Sequence, residues 1–184
     1  VGNMGYLRLS QAVVLDAHGR TQASVRVQGE ELVPVPAPEV ERLRPLATAV
    51  LADARGETTV QTFVARDGSL DLVAVAAIRD PAHANQAPSG ALLMVRHLDE
   101  TEIQRLSDAL MVPVRLSFDL RAHAAEDSHL IALDDERDEL HAVVRDHLGR
   151  PEAELVLTLD RELQHVGQAL SLTGMALAAL AGLL

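Results

Sequence analysis

Residues with usable chemistry are few here, and they fall on two positions. Arg96 and His97 follow the apolar run Ala91–Val95, and Arg79 follows the run Leu70–Ile78. A guanidinium at a strand end can grip a carboxylate or phosphate through two parallel N–H bonds. With Gln61 as a further polar handle, Arg79, Arg96 and His97 form the candidate ligand set. The alternative is that Arg96 pairs with Asp99 or another acid and pins the corner, and Arg79 carries the same two readings. A second set is the acidic run Glu126, Asp127, His129, Asp134, Asp135, Glu136, Asp138 and His141. It offers oxygen ligands for a divalent cation, but without the spacing or turn glycine of a calcium loop it reads as a solvated face. No metal site and no cofactor is expected.

The inventory excludes more than it offers. All sixteen residues of the Lys/Arg class are Arg, and there is no Cys. Schiff-base chemistry, a phosphate-loop lysine, thiol nucleophiles and disulfides are therefore absent. The eight histidines show no HxH or HxxxH spacing, so local zinc ligation is not expected. No glycine-rich phosphate loop and no serine elbow occurs. No catalytic residue is assigned, and catalysis by this chain alone is not expected. Net charge is −11 with scattered basic residues, which argues against nucleic acid as a partner. Tyr6, Phe63 and Phe118 are the whole aromatic set. A pocket would be lined by aliphatic side chains with Arg, His and Gln as handles, suiting a small molecule or anion better than an aromatic ligand.

The elements that must position these residues centre on Gly90–Phe118. Strand Ala91–Val95 ends in the corner Arg96-His97-Leu98-Asp99. Asp99 is placed as an N-cap with Glu102 as capping-box partner, and Ile103, Leu106 and Leu110 recur at helical spacing. Pro113 ends that helix, and Val114, Leu116 and Phe118 alternate as the next strand. The remaining segments are expected to pair with these two strands. A first hairpin runs from Ala12–Leu15 through Asp16–Arg20 to Gln22–Val27. A helix opens at Pro38 or Glu39, buries Val40, Leu43, Leu46, Ala47, Val50 and Leu51, and closes at Gly56. Thr58–Val64 and Leu70–Ile78 flank the turn Arg66–Ser69, and the apolar second strand belongs in the middle of the sheet. The third hairpin joins Leu140–Arg145 to Ala153–Leu159 through Asp146–Pro151.

From Ala169 to Leu184 there is no charged residue. That run is read as the start of a transmembrane helix cut by the end of the sequence, the alternative being a buried amphipathic helix. Gly174, Ala178 and Gly182 share one face and would let two such helices approach closely. The expected division is a sensor domain over residues 1–160, lacking an N-terminal helix, and an exit helix entering the membrane over 161–184. The fold class is α+β, with three hairpins and two helices on one antiparallel sheet.

The block GALLMVRHLDETEIQRLSDALMVPVRLSF resembles the characteristic segment of the fourth class of CHASE domain, the extracytoplasmic sensor of bacterial and archaeal signalling proteins. NMGYLRLSQAVVLDAHGRTQAS is similar to that family's first hairpin with its Asp-x-x-Gly turn. LHAVVRDHLGRPEAELVLTLDRELQHV resembles its closing hairpin and exit. The resemblance runs from about Asn3 to Gly167. It implies a PAS-like or Cache-like fold held outside the cell membrane, in the periplasm, between two membrane helices. It also implies a cytoplasmic GGDEF cyclase, EAL phosphodiesterase or histidine kinase as output, while the homodimer expected here rests on the small-residue face of Gly174, Ala178 and Gly182. The function implied is ligand sensing passed on by the helix that starts at Arg161. The alternative is a dimerisation module of the same receptor that binds no ligand.

Overall fold

The computed structural model describes residues 8–53, 59–80, 82, 86–120 and 127–161. Ten strands and two helices are present among them: β1 Gln11–Asp16, β2 Thr21–Gln28, β3 Glu31–Val33, α1 Ala37–Ala52, β4 Val60–Arg66, β5 Ser69–Ile78, β6 Gly90–Leu98, α2 Glu100–Leu110, β7 Val114–Ser117, β8 Ser128–Ala132, β9 Arg137–Arg145 and β10 Pro151–Asp160. The fold is α+β with antiparallel pairing in every register recorded.

There are two sheets, not the single one expected. Six strands run in the order β3-β2-β1-β6-β5-β4, and four in the order β7-β10-β9-β8. Strands β6 and β7, the pair around which the rest was expected to assemble, belong to different sheets. The physical reason is α2: its eleven residues carry the chain out of one sheet before β7 begins, and β7 then pairs with β10 through Leu155↔Leu116. Strand β5 has neighbours on both sides, as a sequence apolar almost throughout requires. Two short strands, β3 and β8, were not anticipated. Strand β8 lies inside the acidic run read as a solvated face, where Ser128–Ala132 pairs with β9 in the register His129↔His141.

Two compact units emerge, Val1–Thr62 with Asp71–His97, and Phe63–Leu70 with Leu98–Leu184. In the first, α1 buries Val40, Leu43, Ala47 and Val50, four positions of the expected stripe. Its first turn is tied to the sheet because Glu39 accepts a hydrogen bond from Gln11 Nε2 at 2.9 Å and lies 3.5 Å from Arg26. The helix was expected to close at Gly56, which lies outside the described residues. Gly90 is required where β6 meets β1: a Cβ there would sit 2.2 Å from the carbonyl oxygen of Leu15.

In the second unit, α2 and the tip of the β4–β5 hairpin share a core with the four-stranded sheet. Leu106 joins Leu140, Ala142, Val144, Ala153, Leu155, Leu157 and Leu159, with Phe63, Ile103 and Phe118 packed against them. The N-cap is as expected: Asp99 Oδ1 accepts from the Glu102 backbone N–H at 2.9 Å. The helix closes through Met111 in the left-handed region at φ 56°.

Candidate functional site

The structure places the predicted ligand residues in the first unit and gives most of them local tasks. Arg96 is not at a corner. Strand β6 continues to Leu98, so Arg96 lies within the strand and is only 2% exposed. Next to it, His97 has its Nδ1 2.7 Å from Asp71 Oδ1 on β5 and donates its backbone N–H to Ser10 Oγ at 2.7 Å. Arg79 donates from Nη1 to the carbonyl of Gln86 at 2.9 Å and from Nη2 to the carbonyl of Asp53 at 3.3 Å. Asp53 is the C-cap of α1, so Arg79 serves a backbone acceptor that the helix leaves unused. Gln61 is exposed on β4.

Two turns share one construction. In Asp16-Ala17-His18-Gly19-Arg20, Asp16 Oδ1 accepts from the N–H groups of His18 and Arg20 at 2.8 and 2.9 Å, and Arg20 Nε donates to Oδ2 at 2.8 Å. These bonds, led by the Arg20 backbone N–H, hold the Asp16 carboxyl down to about 2. Asp146-His147-Leu148-Gly149-Arg150 repeats the pattern, with Leu148 and Arg150 N–H groups at 2.8 Å and Arg150 Nε at 2.6 Å. Burial pushes the Asp146 carboxyl up, but the combined hydrogen bonds from Arg150 and Leu148 and the Arg150 charge outweigh it, and the net direction is down. Gly19 and Gly149 supply φ angles of 73° and 79°, which favour glycine.

The second unit carries a concave feature. A groove of about 620 Å³ runs between the first turn of α2, strand β7 and the β4–β5 turn, a size that suits a small organic molecule. Leu98, Ile103, Leu116 and Phe118 line its apolar part, and Asp99 and Glu100 line its polar edge. Arg115 also faces the groove, but its guanidinium is bound to Glu139, with Nη2 at 3.0 and 3.2 Å from the two carboxylate oxygens. Among the described residues, the uncommitted charge at the edge is therefore negative, which suits a cationic ligand better than an anionic one at this groove. Sequence reasoning missed it because its lining comes from segments some thirty to fifty positions apart.

Strand β9 also brings together ionisable groups that no local spacing announced. His141 Nδ1 lies 2.9 Å from Glu154 Oε2 on β10, and its Nε2 lies 3.3 Å from Glu139 Oε2. The ring of His129 stacks on that of His141 with centroids 4.7 Å apart. The signal available was a single polar residue inside each of two apolar stretches, His141 in LHAVV and Glu154 in AELVL. No cluster able to hold a metal occurs among the described residues.

Arg161, expected to open the exit helix, is held firmly. Arg161 donates from Nη2 to Asp138 Oδ1 at 2.8 Å, and its backbone N–H donates to the Glu136 carbonyl at 2.7 Å. The bond to Asp138 raises the guanidinium above its ordinary value. Gly174, Ala178 and Gly182 lie outside the described residues, as does the whole run Ala169–Leu184. Among the described residues, no helix is long and apolar enough to cross a membrane.

A family model for the CHASE4 domain matches residues 3–117. No curated protein matches the chain. Among solved structures, the ligand-binding domain of the Pseudomonas aeruginosa amino acid chemoreceptor PctC, in complex with GABA, aligns at 16% identity and a TM-score of 0.44, covering 86% of this chain and 77% of that one. The periplasmic domain of RsbU from Chlamydia trachomatis aligns at 8% identity and a TM-score of 0.39, over 88% of this chain and 74% of that one. Both scores are low, and the family match alone carries the identification. Because that match takes in more than half of the sequence and ends on β7, the chain belongs to the CHASE4 domain family of sensor domains.

Proposed function

We propose that this chain is the signal-sensing domain of a transmembrane signalling protein, and that it binds a small amphipathic molecule in the groove beside α2. The observation that carries this reading is the groove itself, with an apolar floor and a carboxylate edge at Glu100 that no other side chain neutralises among the described residues. The ligand it suits has an aliphatic body and a cationic or hydrogen-bond-donating head. The first-unit set Arg79, Arg96, His97 and Gln61 is then chiefly architectural, with half-exposed His97 its most reachable member.

The signal leaves through Arg161. A bound molecule that moves α2 or β7 displaces β10, which pairs with β7 and runs directly into Arg161. Such a change biases a two-state arrangement of the segment that follows. That segment enters the membrane through Ala169–Leu184 and meets its copy in a homodimer along Gly174, Ala178 and Gly182. The family resemblance supports an output in cyclic-di-GMP turnover or a histidine kinase, with no catalysis by this domain.

A thermal-shift screen with aliphatic amines, amino acids, carboxylates and divalent cations tests the site. A compound present at a hundred times its dissociation constant stabilises by roughly 2.7 kcal/mol. The expected result is a hit among amphipathic amines, lost in Glu100→Gln and Ile103→Glu and retained in His97→Ala. A hit lost only in His97→Ala would move the site to the first unit. No shift in the whole panel from a robust dimer would leave a dimerisation module.

A further inference from the structure

Strand β7 lies at an edge of its sheet, and the cross-strand register fixes which of its backbone groups are left over. Thr158 donates its N–H to the carbonyl of Pro113 at 3.0 Å, so these two residues form a hydrogen-bonded pair. Such pairs alternate with non-bonded ones along an antiparallel ladder. Arg115 and Ser117, opposite Val156 and Glu154, therefore turn their backbone groups toward β10. Val114 and Leu116, opposite Leu157 and Leu155, turn theirs toward the open edge. The Val114 N–H is taken by Ser107 Oγ on α2 at 3.0 Å. Leu116 keeps an N–H and a C=O side by side, with no partner for either among the described residues.

This edge belongs to the groove. Leu116 lines it with Ile103 and Phe118, and Asp99 and Glu100 stand at its rim. An ammonium group donates but cannot accept, and a carboxylate accepts but cannot donate. Either one leaves half of the Leu116 pair unmatched, and the acidic rim opposes the carboxylate as well. One residue of an extended peptide matches both halves, accepting at its C=O and donating from its N–H. Its side chain then falls on the same face as that of Leu116, which is the face packed against the apolar core. The rim asks for positive charge, which a free amino terminus supplies.

We propose that the groove is a strand-addition site for a short extended peptide. One apolar residue of the peptide pairs with Leu116 through two main-chain hydrogen bonds, and its free amino terminus lies against Asp99 and Glu100. The proposal rests on reading the groove as the ligand site, and it narrows the amphipathic ligand to a peptide. Main-chain pairing supplies affinity for many sequences, and the apolar floor selects the residue opposite Leu116.

The test uses three compounds on the whole chain: the tripeptide amide Ala-Leu-Ala-NH2, its ester analogue with oxygen in place of the leucine N–H, and hexylamine. Binding is measured by calorimetry, and hydrogen exchange of single backbone amides by NMR. The expected result is that the peptide binds, more weakly in Glu100→Gln, and slows exchange at the Leu116 N–H by about tenfold or more. The Arg115 N–H, already in the ladder, should not change. The ester should bind about fivefold more weakly for want of one hydrogen bond. Leu116→Pro removes the edge donor and no β7–β10 bond, and should cause a similar loss; the ester comparison stands by itself should proline disturb β7. Equal binding of peptide and ester, or a bound peptide that leaves Leu116 exchange unchanged, would overturn the proposal. Binding of hexylamine but not of the peptide would overturn it too, while leaving the groove standing as the ligand site. No binding by any of the three would remove the proposal together with the groove reading beneath it.

Discussion

Asp16 and Asp146 each head the same five-residue turn, and each accepts two backbone N–H groups and an arginine. Because the folded carboxyl of Asp16 lies at about 2, below its ordinary 3.8, the ionised form favours folding. That contribution is complete above about pH 4 and disappears as pH falls through 2. Asp16→Asn keeps the side-chain oxygen but not its charge. Thermal melts at pH 7, 4, 3 and 2 should therefore show a smaller loss below pH 4 in Asp16→Asn than in the wild type; identical acid profiles would refute this. At the end of β10, Arg161 and buried Asp138 act as a unit. Either Arg161→Gln or Asp138→Asn should lower the melting temperature, and the double variant should melt above the sum of the two losses. Full additivity would mean that the bond contributes nothing.

Helix α2 depends on its first residue pair and β6 on one small residue. Asp99→Ala removes the acceptor for the Glu102 N–H and should cost about 1 kcal/mol in denaturant unfolding; Asp99→Ser should restore most of it. Gly90→Ala drives a methyl into the Leu15 carbonyl, a backbone atom that cannot step aside without breaking β1–β6 pairing. Its cost should be at least the roughly 1–3 kcal/mol of an overpacked core, and a loss under 0.5 kcal/mol would contradict the geometry. These elements were legible in the sequence because capping, periodicity and turn chemistry act within a few residues. Strands β3 and β8 were not, since runs of three or five residues become strands only when a partner supplies the ladder.

Across the molecule, the core of the second unit draws from β9, β10, α2 and the β4–β5 hairpin. Leu155 is fully buried within it. Leu155→Ala should cost about 2–5 kcal/mol in chemical denaturation, against under about 0.5 kcal/mol for Leu148→Ala on the exposed turn. Equal losses would remove Leu155 from the core.

The sequence by itself determined the three hairpins, the two helices, the N-cap of α2 and the family, because each is written in contiguous residues whose local preferences agree. It also decided what chemistry is out of reach, since lysine and cysteine are absent. Tertiary structure alone decided the rest. Splitting the strands between two sheets depends on which edges find partners, a long-range choice with no local marker. The same is true of Arg96, a strand-end residue by pattern that the structure buries within β6. The groove beside α2 and the line from Arg115 to Glu154 exist only because antiparallel pairing sets residues far apart in the chain onto one face, and cross-strand register is fixed by the whole sheet rather than by any one of its strands.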